Sequence, residues 1–334
     1  MCTSFRVRAT DGTVVVGRTM EFPNAMGTKL TVLPRGTEGR GRAPTGGGLS
    51  WSSRHGAVGM DVFGIPGALT DGINERGLYA GLLYMPGFCD YPAAEGVDPS
   101  RLLAIVDTVA FVLGTCANVQ EAKAAMAGVT VWPWVLEQFG FAPPAHLVVH
   151  DAGGACAVFE WKDGELLTFE NPIGVVTNAP HLDWHLTNLR NYLTVSTTSP
   201  DGLEIEGVEL KPLGEGVGIT GLPGGSSPPA RFVRAVALTA SLRPAADGPA
   251  LEQAALHVLN NFDIPAGLIR QDSDPGDDDR TLWSSIANLT ARRYAVRTYD
   301  NPQVRALDLA DAPLDAPAPV QVELGAGGFT ALSV

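Results

Sequence analysis

The feature that most constrains the fold is a hairpin signal at the start of the chain. Residues 2–9 and 13–20 are rich in Val and Thr, and Asp11-Gly12 lies between them. Asp-Gly between two strand-like stretches is among the strongest short-range hairpin signals. The sequence therefore predicts two antiparallel strands that tie down the first residues of the chain.

The pairing register of this hairpin decides which side chains share a face. With a two-residue loop, Cys2 pairs with Glu21, and a carboxylate then lies beside the α-amino group of Cys2. The same register places Arg18 on the opposite face, unless a bulge at Gly17 shifts the ladder by one residue. Both registers are compatible with the sequence.

Cys2 combines two reactive groups if Met1 is removed. The thiolate is the nucleophilic form of cysteine, and a free α-amino group with an unperturbed pKa of about 7.7 to 8.0 can serve as its base. Many cysteines are instead inert, buried apolar residues, and many chain termini are frayed. The alternatives at this point are a one-residue catalytic apparatus and a cysteine without function.

Composition limits the partners of the chain. The 334 residues are 45% hydrophobic and 18% charged, which is typical of a soluble globular protein. The formal net charge of −13 argues against nucleic acid and against an anionic membrane as partners, because both require a basic surface. An anionic substrate would therefore depend on local arginines.

The sequence predicts a cytoplasmic protein. No signal-peptide pattern and no apolar run of membrane-spanning length is present. The four cysteines at positions 2, 89, 116 and 156 lack metal-ligand or redox spacing. The last three are expected to be free thiols in a reducing compartment, and an exported, disulfide-bonded form is the alternative.

The order of predicted elements favours one domain over residues 1–334. A helix is expected over 99–116, and a second one from Asn118 to Gly128, where Glu121 completes a capping box. Strand meanders precede and follow these helices, without regular alternation of strand and helix. The chain is therefore predicted to be an α+β protein with antiparallel sheets and helices packed outside them.

Several segments, in this order, resemble the choloylglycine hydrolase family, which includes penicillin V acylases and conjugated bile salt hydrolases. The resemblance covers nearly the whole chain, and its joint pattern is more specific than any one motif. The matching segments are Cys2-Thr3-Ser4, Gly17-Arg18-Thr19-Met20-Glu21, Asp71-Gly72-Ile73-Asn74-Glu75-Arg76-Gly77-Leu78, Gly174-Val175-Val176-Thr177-Asn178-Ala179-Pro180, Asp183-Trp184-His185, Gly221-Leu222-Pro223-Gly224, Ala230-Arg231-Phe232, Leu282-Trp283-Ser284-Ser285 and Arg293-Tyr294.

This resemblance implies a four-layer αββα N-terminal nucleophile hydrolase, with two antiparallel sheets between layers of helices. It also implies that Cys2 attacks a linear amide and forms a thioester, without a cofactor. The oxyanion donors would be the side-chain amide of Asn178 and the backbone N–H of Tyr84. Arg18 would lie near the thiolate. Arg231, whose charge near a helix start is unfavourable for the helix dipole, would face the site.

Two positions bear on how this chain differs within the family. Glu21 stands where the family usually has an aspartate that hydrogen-bonds the α-amino group. Tyr84 stands where penicillin V acylases carry tyrosine and bile salt hydrolases typically carry asparagine.

The tyrosine favours an aryl or alkyl acyl group over a steroid. Penicillin V and N-acyl homoserine lactones are the expected substrates, and conjugated bile salts are the alternative. The candidate acyl pocket consists of Met20, Phe22, Met26, Phe63, Leu82 and Trp134.

The resemblance further implies a homotetramer. The segment 191–218 has alternating apolar residues suited to an exposed hairpin, and in relatives this hairpin lies between subunits. A catalytically inactive binding protein that keeps Met1 is the alternative from another class.

Two other clusters suggest metals but are not assigned to them. His181 and His185 have the spacing of two zinc ligands on a helix, yet a metalloprotease glutamate is missing and a third ligand would have to come from His146 or His150. The acidic run 272–279 lacks the calcium-loop pattern and is predicted to be a solvated loop. No metal is expected.

Overall fold

Two antiparallel sheets stack face to face in a computed structural model that describes residues 1–23, 25–44, 46–270 and 278–328. The strands are Cys2–Arg8 (β1), Val14–Phe22 (β2), Leu30–Leu33 (β3), Glu38–Arg40 (β4), Ser50–Ser52 (β5), Ala57–Val62 (β6), Ile65–Asn74 (β7), Tyr79–Tyr84 (β8), Leu102–Ala104 (β9), Thr130–Trp132 (β10), Ala145–His150 (β11), Cys156–Lys162 (β12), Glu165–Glu170 (β13), Val175–Val176 (β14), Leu203–Ile205 (β15), Val208–Leu210 (β16), Ile269–Arg270 (β17), Asp278–Asn288 (β18), Arg293–Thr298 (β19), Asn301–Asp308 (β20) and Val320–Val322 (β21).

The first sheet has the strand order β14-β1-β2-β18-β19-β20, with β17 also paired to β18. The second has the order β13-β12-β11-β8-β7-β6-β3-β21. All pairs in both sheets are antiparallel. Smaller two-stranded pairs are β4 with β5, β9 with β10 and β15 with β16.

Helices cover the outer faces of the two sheets. They are Thr108–Thr115 (α1), Val119–Ala127 (α2), Leu182–Leu189 (α3), Pro228–Ala240 (α4) and Gly248–Leu259 (α5), with 3-10 turns at Pro99–Arg101, Ile105–Asp107, Arg190–Tyr192, Val217–Ile219 and Asn260–Phe262. α4 and α5 pack on the first sheet, whereas α1 and α2 pack on the second. This is the predicted four-layer αββα arrangement.

Most predicted elements are confirmed, but the helix over 99–116 is wrong in its first half. Asp98 caps only a short 3-10 turn, and Leu102–Ala104 then forms a strand. That strand pairs in parallel with β10, so its backbone bonds go to another segment rather than to a helix. The helix begins at Thr108. The second helix is confirmed, with the Asn118 side chain accepting from the Glu121 N–H at 3.0 Å.

The register of the first hairpin differs from the two-residue-loop prediction. Cys2 pairs with Met20 and Ser4 with Arg18, whereas Glu21 pairs with Met1 through backbone hydrogen bonds. The Ala9 N–H donates to the Thr13 carbonyl, and Gly12 has a φ of 89°. The loop is therefore a three-residue one with a left-handed glycine, and the ladder shifts at the turn.

In the described part of the chain, no helix has both the length and the apolar composition needed to span a membrane. The longest, α4, has 13 residues, and about 20 are required.

Candidate active site

The buried thiol of Cys2 lies between the two sheets at the start of β1. Its partner across the ladder is Met20, whose Sδ is 3.7 Å from Cys2 Sγ. Arg18 is two residues before Met20, so it lies on the same face of β2. Its Nη2 is 3.8 Å from Cys2 Sγ. The shifted register thus places the arginine beside the thiol without a bulge at Gly17.

Arg18 is fully buried, and its guanidinium reaches across to the second sheet. It donates to the carbonyls of Thr70 and Leu82, each at 2.5 Å, and lies 3.8 Å from the Asp71 carboxylate. Burial acts to lower the pKa of Arg18, but Cys2, Tyr79 and Asp71 outweigh it and raise that pKa above its ordinary value. A permanent positive charge therefore lies beside Cys2 Sγ.

Asn178 and Arg231 converge on the backbone of Cys2. The Cys2 N–H donates to Asn178 Oδ1 at 2.9 Å, and Arg231 Nη2 donates to the same oxygen at 2.6 Å. Arg231 Nη1 also donates to the Cys2 carbonyl and, at 2.8 Å, to the Thr3 hydroxyl. Arg231 stands near the start of α4 and is fully buried, as its unfavourable helix position predicts for a site-facing side chain.

The amide nitrogen of Asn178 faces the end of β8. Asn178 Nδ2 donates to the Tyr84 carbonyl at 2.5 Å, which leaves its second N–H available. The Met85 N–H donates to Pro144, so the preceding Tyr84 N–H points away from β11 by the alternation of an antiparallel ladder. The two predicted oxyanion donors therefore lie next to each other.

The Glu21 side chain lies on the opposite face of β2 from Cys2 Sγ, contrary to the two-residue-loop register. It is fully buried, and Thr281 Oγ1 donates to its Oε1 at 3.2 Å. Oε2 has no hydrogen-bond partner among the described residues. Burial raises the pKa of Glu21, while the Met1 ammonium and Arg231 oppose this shift. The carboxylate thus remains close to the chain start.

A small apolar cavity of about 80 Å³ opens beside Cys2. Aromatic rings line it: Phe22 meets Tyr84 edge-to-face with ring centroids 6.2 Å apart, and the Phe139 centroid lies 5.2 Å from that of Phe22. The lining residues are Cys2, Met20, Glu21, Phe22, Met26, Val62, Thr70, Leu82, Leu83, Tyr84, Ile105, Val106, Leu136, Phe139, Pro143 and Ala145.

Four of the six predicted pocket residues line this cavity: Met20, Phe22, Met26 and Leu82. Phe63 lies one layer behind, with its ring 5.1 Å from that of Phe139. Trp134 is not part of the lining, and its indole instead lies under the Arg42 guanidinium at 4.8 Å. Neither Phe63 nor Trp134 therefore borders the cavity at Cys2 in this structure.

A larger cleft of about 930 Å³ lies elsewhere, between β1, the start of β12 and the end of α4. The cysteine that lines it is Cys156, and burial raises the pKa of that thiol well above its ordinary value. A thiol held neutral is a poor nucleophile. Cys156 is therefore a poor candidate for a nucleophile. All four cysteines of the described structure are free thiols.

The histidines with zinc-like spacing make hydrogen bonds instead of a metal site. His181 Nδ1 lies 2.7 Å from Glu160, and His185 Nε2 lies 2.9 Å from the Asn178 carbonyl. Within the described ranges, no three His, Cys, Asp or Glu side chains are arranged to hold a metal ion. Most of the acidic run 272–279 lies outside those ranges.

Sequence reasoning missed residues that act from behind the predicted site. Asp71 lies in one of the matching segments, and its carboxylate is 3.8 Å from the Arg18 guanidinium, a contact that the sequence does not indicate. Phe139 carries no sequence signal, because it lies in a short irregular stretch. For His146 the sequence indicates only a possible third zinc ligand.

The fold and this site place the chain among the hydrolases of linear amide C–N bonds. A family model for "Linear amide C-N hydrolases, choloylglycine hydrolase family" matches residues 2–322. The chain belongs to the choloylglycine hydrolase family.

Relatives with two kinds of activity resemble the chain. A bile salt hydrolase/transferase of Clostridium perfringens is 27% identical over 317 residues, which cover 94% of each chain. A solved variant of conjugated bile acid hydrolase from the same species has a TM-score of 0.88 at 24% identity, covers 99% of both chains and shows the shared fold. Penicillin V acylase from Agrobacterium tumefaciens has a TM-score of 0.79 at 25% identity, over 97% of this chain and 92% of that one.

Proposed function

We propose that the chain is a cofactor-free amidase in which Cys2, freed by removal of Met1, is the nucleophile. The observation that carries the proposal is the position of Cys2 Sγ, which borders the apolar cavity and lies 3.8 Å from Arg18. In the structure Met1 precedes Cys2, and its ammonium donates to the Glu21 carbonyl at 2.5 Å. Removal of Met1 turns the Cys2 nitrogen into an α-amine that keeps Asn178 Oδ1 as its neighbour.

Acylation begins when this amine takes the thiol proton and Cys2 sulfur attacks the amide carbonyl carbon. The C–S bond forms, and the carbonyl oxygen becomes an oxyanion beside the free N–H of Asn178 and the N–H of Tyr84. The C–N bond then breaks, and the ammonium returns the proton to the leaving amine. A thioester remains on Cys2.

Deacylation repeats these steps with water. The amine takes a proton from water, the hydroxide adds to the thioester carbonyl, and the C–S bond breaks. The carboxylic acid leaves and the sulfur regains its proton. Glu21 would stabilise the protonated amine, and Arg231 would hold the Cys2 backbone and Asn178 in place.

The cavity supports a narrow acyl group. Its volume of about 80 Å³ is below the about 150 Å³ of an engineered cavity that takes benzene. We therefore expect a straight acyl chain, as in N-acyl homoserine lactones, to need less side-chain movement than the phenoxyacetyl group of penicillin V. Likeness to bile salt hydrolases supports conjugated bile salts as the second candidate, although a steroid needs a far larger opening.

Self-association is part of the proposal. The strands β15 and β16 form a hairpin whose apolar side chains are exposed, and this exposure supports self-association. We expect a homotetramer in which this hairpin lies between subunits.

A hydrolysis panel tests the function. Penicillin V, acyl homoserine lactones of several lengths and glycocholate are offered to the wild type and to Cys2→Ser. We expect turnover of the first two classes, fastest for straight chains, and loss of all turnover in the variant. Activity that survives in Cys2→Ser with Met1 removed would contradict the nucleophile. Full activity in excess chelator is expected, and its loss would favour a metal enzyme.

A further inference from the structure

Glu160 is a buried carboxylate that joins the second sheet to the segment carrying Asn178. Its Oε1 faces His146 Nδ1 at 3.2 Å and accepts the Leu182 N–H at 3.2 Å, and its Oε2 faces His181 Nδ1 at 2.7 Å. Burial acts to raise the pKa of Glu160, but the hydrogen bonds and charges of His146 and His181 outweigh it and lower that pKa. The group is therefore an ionised carboxylate, which only accepts hydrogen bonds.

His146 is enclosed between two acceptors. Its Nδ1 faces the Glu160 carboxylate, and its Nε2 lies 3.2 Å from the carbonyl oxygen of Thr177. The ring is 2% exposed, so water does not substitute for either partner. A neutral imidazole has one N–H and would direct a lone pair at one of these oxygens. An imidazolium donates to both.

His185 makes the neighbouring contact as a neutral ring. Its Nε2 lies 2.9 Å from the Asn178 carbonyl, and its Nδ1 has no partner among the described residues. Burial lowers the pKa of His185. The His185 ring therefore donates its one proton to the Asn178 carbonyl. His146 and His185 thus contact the carbonyls of two successive residues, Thr177 and Asn178.

We propose that His146 is a positioning residue, a buried imidazolium paired with Glu160 that fixes the Thr177 carbonyl and thereby the direction of the Asn178 side chain. The ionisable groups that face this cluster are Glu160, Cys89, His181, His185 and, through Asn178, Arg231. The expected effect of His146 on kcat rests on the proposed function, because it requires Asn178 to stabilise the oxyanion.

The protonation state is tested by ¹⁵N NMR of the histidine rings at pH 7 in the full chain. We expect one buried ring with both nitrogens protonated, assigned to His146 by its absence in His146→Gln. His150, on the same strand, provides the internal reference for a neutral ring, because burial lowers its pKa to about 3. A neutral His146 ring would overturn the proposal. This result does not depend on enzyme activity.

Kinetics test the positioning. His146→Leu removes both hydrogen bonds and is expected to lower kcat about 10- to 100-fold with little change in KM, as for a displaced catalytic group. His146→Gln, which can donate to one acceptor, is expected to retain more activity. His150→Gln is the matched control, since its ring contacts Tyr79 and Cys156 rather than the Asn178 segment.

An unchanged kcat in both folded His146 variants would contradict the positioning role, as would an equal loss in His150→Gln. Thermal unfolding of each variant shows whether it is folded. If Cys2→Ser is active, the proposed function fails, while the NMR result for His146 stands. The two failures are therefore distinguishable.

Discussion

Buried charge at single residues holds the site together. Arg18 and Asp71 are both fully buried and 3.8 Å apart, and Asp71 accepts hydrogen bonds from Ser285 at 2.8 Å and Tyr294 at 2.7 Å. Burial raises the pKa of Asp71, and Arg18 opposes this shift. The carboxylate thus links the first sheet to the second at the point where Arg18 reaches Cys2.

Asp71→Asn should leave the Arg18 charge without its counter-charge. We expect the free energy of unfolding to fall by about 3 to 5 kcal/mol, as for other buried pairs that lose one partner. Urea unfolding at pH 7 measures this. The matched control is Asp308→Asn, whose half-exposed pair with Arg293 should contribute less than about 1 kcal/mol. Equal losses in the two variants would contradict the role of burial.

A second residue-scale prediction concerns acid stability. Burial, with a smaller effect of Arg6, lowers the pKa of His150 to about 3, whereas an unfolded histidine titrates at about 6.5. Between these two pH values the unfolded chain binds a proton that the folded chain does not bind, and this favours unfolding. The contribution of the neutral His150 ring to the free energy of unfolding is therefore complete above about pH 6.5 and is lost as the pH falls towards about 3.

A single titrating group changes the free energy of unfolding by at most about 1.4 kcal/mol per pH unit. In urea unfolding at pH 7, 6 and 5, His150→Gln should therefore show a flatter pH dependence than the wild type. Parallel curves for the two proteins would show that His150 is not buried as a neutral ring.

At the scale of elements, the residue pattern of the hairpin β1–β2 predicts its two strands but not their pairing register. Both strands were predictable from Val, Thr and the Asp11-Gly12 turn, because these residues act locally. The register was not, since loops of two and three residues suit the same turn. One residue of shift moves Arg18 to the face of Cys2, so the site depends on a feature that local pattern leaves open.

Packing explains why a glycine occupies position 17, where the sequence suggests a possible bulge. The ladder is regular there, and the Phe5 ring covers the glycine: an added Cβ would lie 2.4 Å from a ring carbon. Gly17→Ala is expected to cost about 1 to 3 kcal/mol of unfolding free energy through overpacking. Gly67→Ala, where no atom lies within 4 Å of the new Cβ, is the control. Similar stability of the two variants would contradict this packing.

The hairpin of β15 and β16 carries the prediction on assembly. Ile205 and Val208 pair across the strands and are both more than half exposed. Light scattering of the wild type should give about four times the chain mass of 35.0 kDa. Ile205→Asp with Val208→Asp should give a smaller species, whereas Glu204→Ala, on the same hairpin, should not. A monomeric wild type would contradict the proposed tetramer.

At the scale of the whole molecule, the class of fold was predictable because the order of strands and helices repeats without regular alternation. The family resemblance also led to Cys2, Arg18, Asn178 and Arg231, which the structure brings within a few ångströms of one another. These contacts join residues up to 229 positions apart, as between Arg231 and the Cys2 carbonyl. Local periodicity contains no information on such pairs.

Two parts of the site could not be predicted from the sequence, because they also depend on contacts between residues that are far apart in the chain. The ring of Phe139 reaches the cavity from an irregular segment, and the Glu160 cluster forms only when β12, β11 and the start of α3 meet. The net charge of −13 argues against nucleic acid and anionic membranes as partners, but it does not locate the buried cations Arg18 and Arg231. The positions of these two cations follow from tertiary packing, which composition does not describe.

We expect Cys2, exposed at the chain start by loss of Met1, to form the acyl-enzyme. Peptide mass spectrometry of an acid-quenched reaction with an acyl homoserine lactone measures this directly. The predicted result is an N-terminal peptide that begins at Cys2 and carries the acyl group on sulfur, in a labile thioester. Turnover by a chain that retains Met1, or an acyl group on any other residue, would contradict the claim.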